Sequence, residues 1–181
     1  LALDALKGYV PVLAALVYGP AFGLGDRTVA LVGLAAFLGH LWPVFFRFEG
    51  GKGVATAAGV LMALNPWLGA TTLASWLIIA AFFRYSSLAS IVAAGFAPFY
   101  QLLIWGVEPA LMCIVPMSLL LIWRHEGNIR KLLAGTESKI GQKAAPAAPA
   151  HDKHAHSHSH GHGHGHSHAK PHAQTHRKGH K

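Results

Sequence analysis

Residues 54–83 read VATAAGVLMALNPWLGATTLASWLIIAAFF and contain no charged side chain. Such a composition predicts helix inside a membrane, but the run is longer than the roughly 20 residues that cross a bilayer once. Asn65 and Pro66 stand near its middle, and a proline removes a backbone donor while it restricts the residue before it. The sequence therefore predicts that this run divides into two shorter helices at Asn65 and Pro66.

Four more apolar stretches have lengths close to that of a membrane span. They are residues 8–24, 28–46, 88–106 and 109–123. Charged residues are rare here and lie between the stretches, whereas a soluble domain carries them on every helix. We therefore expect an all-α, polytopic integral membrane protein with six membrane segments. A re-entrant hairpin over residues 54–83, instead of two crossings, would return the chain to the same side of the membrane.

The composition changes near Lys143. Residues 144–181 are almost entirely His, Ala, Gly, Ser, Pro and Lys, a set that cannot bury a core. We predict a membrane domain over residues 1–143 and a disordered His-rich tail over residues 144–181. The tail lacks the Cys partners and fixed spacing of a structural zinc site, so we expect at most weak binding of Ni²⁺ or Zn²⁺. The candidate ligands are His156, His158, His160, His162 and His164.

The location of the basic residues argues against a nucleic-acid partner, although the formal net charge is +8. Five of the 15 Lys and Arg residues lie after residue 150, and the others flank the apolar stretches. If successive segments cross the membrane, nine basic residues of the membrane domain share one face, and only Arg27 lies opposite. The nine are Lys7, Arg47, Lys52, Arg84, Arg124, Arg130, Lys131, Lys139 and Lys143. The positive-inside bias predicts that this face is cytoplasmic, together with the C-terminus.

A glycine-rich loop precedes the central run, in the stretch GHLWPVFFRFEGGKGVAT at residues 39–56. Its three glycines are Gly50, Gly51 and Gly53. They surround Lys52, so the backbone can approach a ligand closely just where the first free N–H groups of a helix begin. A phosphate group suits such a site. The alternative is a plain glycine-rich turn with a lysine that snorkels to the membrane surface.

A second polar stretch, RHEGNIRKLLAGTESK at residues 124–139, follows the last apolar segment. A cationic cluster at this position is often only a topology anchor. His125 and Asn128, however, are spaced i and i+3, so a continued helix would place an imidazole and an amide on one face, where they could hold a hydroxyl group. Gly127 leaves that continuation open.

These stretches resemble the signatures of one family. Residues 39–56 are similar to the second signature of the bacterial acyl-phosphate:glycerol-3-phosphate acyltransferases, the PlsY family, and residues 124–139 are similar to the third. Asp4, Lys7 and Gly8 resemble the element that opens the second membrane helix of that family. The matches keep the family's order along the chain. Glu49 and Glu126 depart from it, because they stand where Lys and Arg are common.

The resemblance implies an enzyme that moves a fatty acyl group from acyl phosphate to the sn-1 hydroxyl of glycerol 3-phosphate in the bacterial inner membrane. The products are lysophosphatidic acid and phosphate, at the first step of phospholipid synthesis. Lys52 and the amides of residues 50–53 would bind phosphate groups, and His125 and Asn128 would orient the glycerol hydroxyls. The other candidate substrate-binding residues are His40, Thr56 and Arg124. For His40, a supporting role and direct contact stay equally open.

The resemblance also implies seven membrane helices and a first signature loop that precedes Asp4, so we expect the sequence to be incomplete at its start. It implies no cofactor. The main alternative is a membrane metal-ion transporter, which the His-rich tail suggests. A transporter needs metal ligands along a path through the bilayer, and the apolar stretches offer none.

Overall fold

The computed structural model describes residues 1–42 and 51–142, and every regular element among them is helical. The helices are α1 (Ala2–Tyr18), α2 (Asp26–Leu41), α3 (Val54–Leu64), α4 (Pro66–Phe83), α5 (Ser86–Tyr100), α6 (Leu111–Arg124) and α7 (Glu126–Leu133). A 3₁₀ turn, Gly19–Phe22, continues α1, and a π turn, Gln101–Trp105, continues α5. The predicted disorder of the tail and its candidate metal ligands concern residues outside the described ranges.

Within the described residues, three helical stretches are long and apolar enough to cross a membrane, and they are Ala2–Phe22, Pro66–Phe83 and Ser86–Trp105. Helices α3 and α6 are shorter apolar helices. The all-helical character and the apolar spans confirm the coarse architecture that the sequence predicts. The number of six crossings stays a prediction.

The predicted division of residues 54–83 is confirmed. Helix α3 ends at Leu64, and α4 begins at Pro66. Between them Asn65 is extended, and its Oδ1 accepts from the backbone N–H groups of Trp67 (3.0 Å) and Leu68 (3.3 Å). Pro66 occupies the first helical position, where its missing N–H costs nothing. An asparagine cap of this kind stabilises a helix by about 1 kcal/mol, so the sequence fixes this corner locally.

Helix α2 ends earlier than the apolar stretch 28–46 suggests. Its last residue is Leu41, and Trp42 leaves the helix with φ −128° and ψ 71°. Pro43 follows in the sequence, and a proline disfavours the helical conformation of the residue before it. The chain therefore leaves α2 just before the glycine-rich loop.

Two glycines let α1 and α3 pack with their backbones in contact. A Cβ atom at Gly8 would lie 2.3 Å from the carbonyl oxygen of Thr56, and one at Gly59 would lie 2.0 Å from that of Ala5. The Thr56 hydroxyl donates to the carbonyl of Asp4 at 3.0 Å across the same interface. Small residues permit this close approach between membrane helices. The contact places the start of α1 beside the start of α3, where the glycine-rich loop ends.

Candidate active site

The glycine-rich loop enters α3 through a residue that must be glycine. Gly53 has φ 82°, a left-handed conformation that side chains disfavour, and a Cβ there would lie 2.4 Å from Cε2 of Phe37. Phe37 is fully buried in α2. Gly53 therefore packs against α2 at the point where α3 begins with its first free N–H groups. Gly50, the first predicted glycine of the site, lies outside the described residues.

Gly51 is held from two sides. A Cβ on it would lie 2.9 Å from Nε2 of His40, so the imidazole occupies the space that a side chain would need. Arg124 Nη2 donates to the carbonyl of Gly51 at 3.3 Å. The other ring nitrogen of His40, Nδ1, lies 3.8 Å from Oδ1 of Asp4. Lys7 donates to that same oxygen at 3.1 Å. His40 thus supports the loop from the end of α2.

Lys52 joins the two predicted polar stretches. Its Nζ donates to Oδ1 of Asn128 at 2.6 Å across 76 positions of the sequence. Lys52 is exposed, and Asn128 is half-buried in the first turn of α7. The glycine-rich loop and residues 124–139, whose basic residues the sequence assigns to one face, are therefore in contact in the structure.

His125 and Asn128 do not share one continued helix. Helix α6 ends at Arg124, His125 leaves the helix with ψ 8°, and α7 starts at Glu126. The break falls at His125, whose carbonyl accepts from the N–H groups of Asn128 and Ile129, both at 2.9 Å. The continuation that Gly127 left open is therefore absent, and the i, i+3 pair lies at the start of α7 instead of on one continued helix.

His125 is buried, with 2% of its surface exposed. Its Nδ1 lies 2.8 Å from the carbonyl oxygen of Leu121. A carbonyl only accepts, so Nδ1 carries the proton and Nε2 of the neutral ring is an acceptor. Burial lowers the pKa of His125 and the charge of Lys52 lowers it further, against the opposing effects of the Leu121 carbonyl and Glu137. The ring is therefore neutral near pH 7.

Thr56 and Arg124 have different surroundings. Thr56 is 0% exposed and donates to Asp4, so its hydroxyl is used in the packing of α1 against α3. Arg124 lies at the end of α6 and reaches the loop through the Gly51 carbonyl. The guanidinium is thus beside the loop, whereas the Thr56 hydroxyl is turned into the protein.

Two polar residues of the site were not predicted. Glu137 accepts on Oε1 from Nδ2 of Asn128 at 2.7 Å and from Oγ of Ser87 at 2.6 Å. Glu137 lies in the stretch 124–139, but the sequence does not indicate that its side chain points toward Asn128. Ser87 lies in α5, among apolar residues that carry no site signal. Only the folded chain brings them together.

The site can bind an anion and orient a hydroxyl group. The Lys52 ammonium, the Arg124 guanidinium and the free N–H groups at the start of α3 are donors to an anion. Neutral His125 offers an acceptor, and Asn128 offers both an acceptor and donors. Among residues 1–42 and 51–142, no group of three or more His, Cys, Asp or Glu side chains could hold a metal ion.

Comparison with known proteins identifies the family. A family model described as glycerol-3-phosphate acyltransferase matches residues 1–135. Curated glycerol-3-phosphate acyltransferases from Ralstonia nicotianae and Cupriavidus taiwanensis are 61% and 62% identical over 143 and 140 residues. These alignments cover 79% and 77% of this chain, and 69% of each relative.

A similar architecture is found in crystal structures of PlsY, an integral membrane glycerol 3-phosphate acyltransferase. Its lysophosphatidic acid form and its glycerol 3-phosphate form both match with a TM-score of 0.71 and 41% identity. The matches cover 77% of this chain, and 69% and 68% of the two crystallised chains. With the two signatures meeting at one site, the chain belongs to the PlsY family of glycerol-3-phosphate acyltransferases, integral membrane enzymes of multi-pass helical architecture.

Proposed function

We propose that this protein transfers a fatty acyl group from acyl phosphate to the sn-1 hydroxyl of glycerol 3-phosphate, which gives lysophosphatidic acid and phosphate. The observation that carries the proposal is the 2.6 Å contact between Lys52 and Asn128. It joins a candidate phosphate-binding group to a candidate hydroxyl-binding group in one place. The family and the glycerol 3-phosphate form of PlsY support the acceptor.

Lys52, the N–H groups at the start of α3 and Arg124 bind phosphate groups. His125 and Asn128 hold the glycerol hydroxyl against the acyl carbonyl. His40 acts through Gly51, against which its ring packs, and Thr56 acts through the packing of α1 on α3. These last two residues shape the loop and need no contact with the substrate.

The reaction does not require a strong general base. Acyl phosphate is a mixed anhydride with a good leaving group, so holding the hydroxyl in place and neutralising charge supply most of the catalysis. The hydroxyl oxygen attacks the carbonyl carbon, and the bond from that carbon to the phosphate oxygen breaks. The departing phosphate carries the hydroxyl proton in the products. Nε2 of neutral His125 is an acceptor for that proton on its way.

An apolar cavity of about 240 Å³ gives the acyl chain a place. It is lined by α3, α4, α5 and α6 together with the start of α1, and its walls include Val54, Leu61, Trp76, Ala93 and Leu121. Val54 follows the glycine-rich loop, and the Leu121 carbonyl contacts His125. A chain in this cavity would therefore end beside the polar site.

The reaction takes place at the cytoplasmic face of the bacterial inner membrane. The basic residues around the site support this orientation through the positive-inside bias. The membrane domain spans residues 1–143, and residues 144–181 form a cytoplasmic tail that binds Ni²⁺ or Zn²⁺ weakly. The membership of the family does not support the alternative of a metal-ion transporter.

The donor is tested with purified protein in detergent. Lysophosphatidic acid formation from glycerol 3-phosphate is measured with acyl phosphate, acyl-CoA or acyl carrier protein as the only donor. We expect product with acyl phosphate alone. Product from acyl-CoA at a similar rate would replace the proposed donor, and no product with any donor would refute the activity.

A further inference from the structure

The segment that follows α7 returns to the site because of a glycine turn. Gly135 has φ 67°, its N–H donates to Leu132 O at 3.1 Å, and the N–H of Thr136 donates to Lys131 O at 2.8 Å. This pair of bonds is the Schellman motif, in which glycine ends a helix and reverses the chain. Glu137, two residues after Gly135, is thereby directed back toward the start of α7, where Asn128 lies.

The same segment is fastened to the corner between α4 and α5. The N–H of Ile140 donates to Arg84 O at 2.6 Å, and Arg84 Nη2 donates to Ile140 O at 2.9 Å. The Lys139 ammonium lies 5.7 Å from the centre of the Tyr85 ring. Glu137 is therefore held between two anchored points, the turn at Gly135 and the pair at Ile140.

Ser87 fixes the carboxylate itself. It lies in the first turn of α5 with 7% of its surface exposed, and its hydroxyl donates to Oε1 of Glu137 at 2.6 Å. That oxygen also accepts from Nδ2 of Asn128 at 2.7 Å. A serine on a packed helix thus orients the carboxylate, and the carboxylate orients the amide.

The two partners of Asn128 leave its amide only one orientation. A carboxylate only accepts and an ammonium only donates, so the NH₂ group must face Glu137 and the oxygen must face Lys52. We propose that Glu137, held by Ser87, is a positioning residue that fixes the amide of Asn128 so that it can bind the acceptor hydroxyl. This inference rests on the proposed function. The second N–H of the Asn128 amide does not bond to Glu137, and the two hydrogen bonds of the amide fix its direction as well.

The charge of Glu137 is maintained at the site. Burial opposes ionisation, but the hydrogen bonds from Ser87 and Asn128 and the charges of Lys131 and Lys52 together outweigh it, and the pKa of Glu137 is lowered. The carboxylate therefore remains an acceptor at neutral pH. Ser87 contributes to this directly, because its hydroxyl donates to the charged form.

The test compares Ser87→Ala with Ser86→Ala. Ser86 is the neighbouring residue of α5 and is exposed, so its substitution is a matched control. We measure kcat, the KM of each substrate and the thermal unfolding of both variants in detergent. We expect S87A to lower kcat about tenfold, because misplaced groups lose the benefit of orientation, while the KM of acyl phosphate and the Tm stay near wild type. S86A should behave like wild type.

A second pair of variants separates a hydrogen-bond acceptor from a bulky filler. Glu137→Gln keeps an acceptor oxygen, and Glu137→Leu keeps the approximate size without one. We expect E137Q to retain kcat within about threefold and E137L to lose about a hundredfold. Normal kcat in S87A, losses that only follow a lowered Tm, or equal losses in E137Q and E137L would each overturn the inference. An inactive wild type would instead refute the proposed function.

Discussion

Lys52 gives the sharpest test of the site, because its exposed ammonium has no packing role. Its Nζ donates to Asn128 Oδ1 at 2.6 Å, and it follows Gly51, whose carbonyl accepts from Arg124. Lys52→Ala removes a charged donor and leaves the buried core untouched. We expect a large loss of catalysis with little loss of stability, since exposed substitutions usually change the free energy of unfolding by less than about 0.5 kcal/mol.

The magnitude follows from one lost contact. A charge-assisted hydrogen bond to a phosphate is worth up to about 3 kcal/mol, and each 1.36 kcal/mol of transition-state stabilisation is about a factor of ten in rate. The kcat/KM of Lys52→Ala should therefore fall by about two orders of magnitude. If the contact is equal in the ground state and the transition state, the loss appears as a higher KM, and otherwise it appears in kcat.

The assay measures lysophosphatidic acid formation from acyl phosphate with each substrate varied in turn. Lys52→Arg keeps the charge and should retain part of the activity, while Arg27→Ala removes an exposed basic residue at the start of α2, outside the site, and serves as the control. Near-normal turnover in Lys52→Ala would remove Lys52 from the site. The glycine-rich loop would then be a turn with a snorkelling lysine.

Three further outcomes are expected. Asn128→Ala and His125→Ala should each impair transfer to glycerol 3-phosphate while membrane insertion is unchanged, and normal kinetics in both would support a mere topology anchor. Since burial lowers the pKa of His125, its ring stays neutral at a lower pH than an unperturbed histidine does, so kcat/KM should stay level from neutral pH to about 6.5 and fall only below that. A fall that begins above pH 7 would contradict this. A chain that ends at Lys143 should lose retention on a nickel column and keep its activity, and loss of activity in an inserted truncation would make the tail part of the enzyme.

The sequence predicts those features that local chemistry decides. The helix boundary at Asn65 and Pro66 follows from a cap and a missing donor, and the membrane character follows from composition. The contact of Lys52 with Asn128 could be anticipated only as a convergence of two polar stretches. Ser87 could not be predicted, because a serine in an apolar helix acquires its direction from tertiary packing. Glu137 lies within the stretch that resembles the third signature, but its contact with Asn128 also depends on tertiary packing.

The glycines of the loop show why spacing alone left the phosphate interpretation open. Gly51 lacks a side chain because the His40 ring occupies its place, and Gly53 lacks one because Phe37 does and because its φ is 82°. Packing and backbone conformation therefore require both glycines, independent of any ligand. A loss of activity on their substitution would not distinguish a phosphate-binding loop from a plain glycine-rich turn. Lys52 differs from them, since its ammonium is exposed and fills no space in the core, and its contact is the polar one with Asn128, whose amide Glu137 also holds. The charge at position 52, rather than the glycines around it, is the part of the loop that packing does not explain.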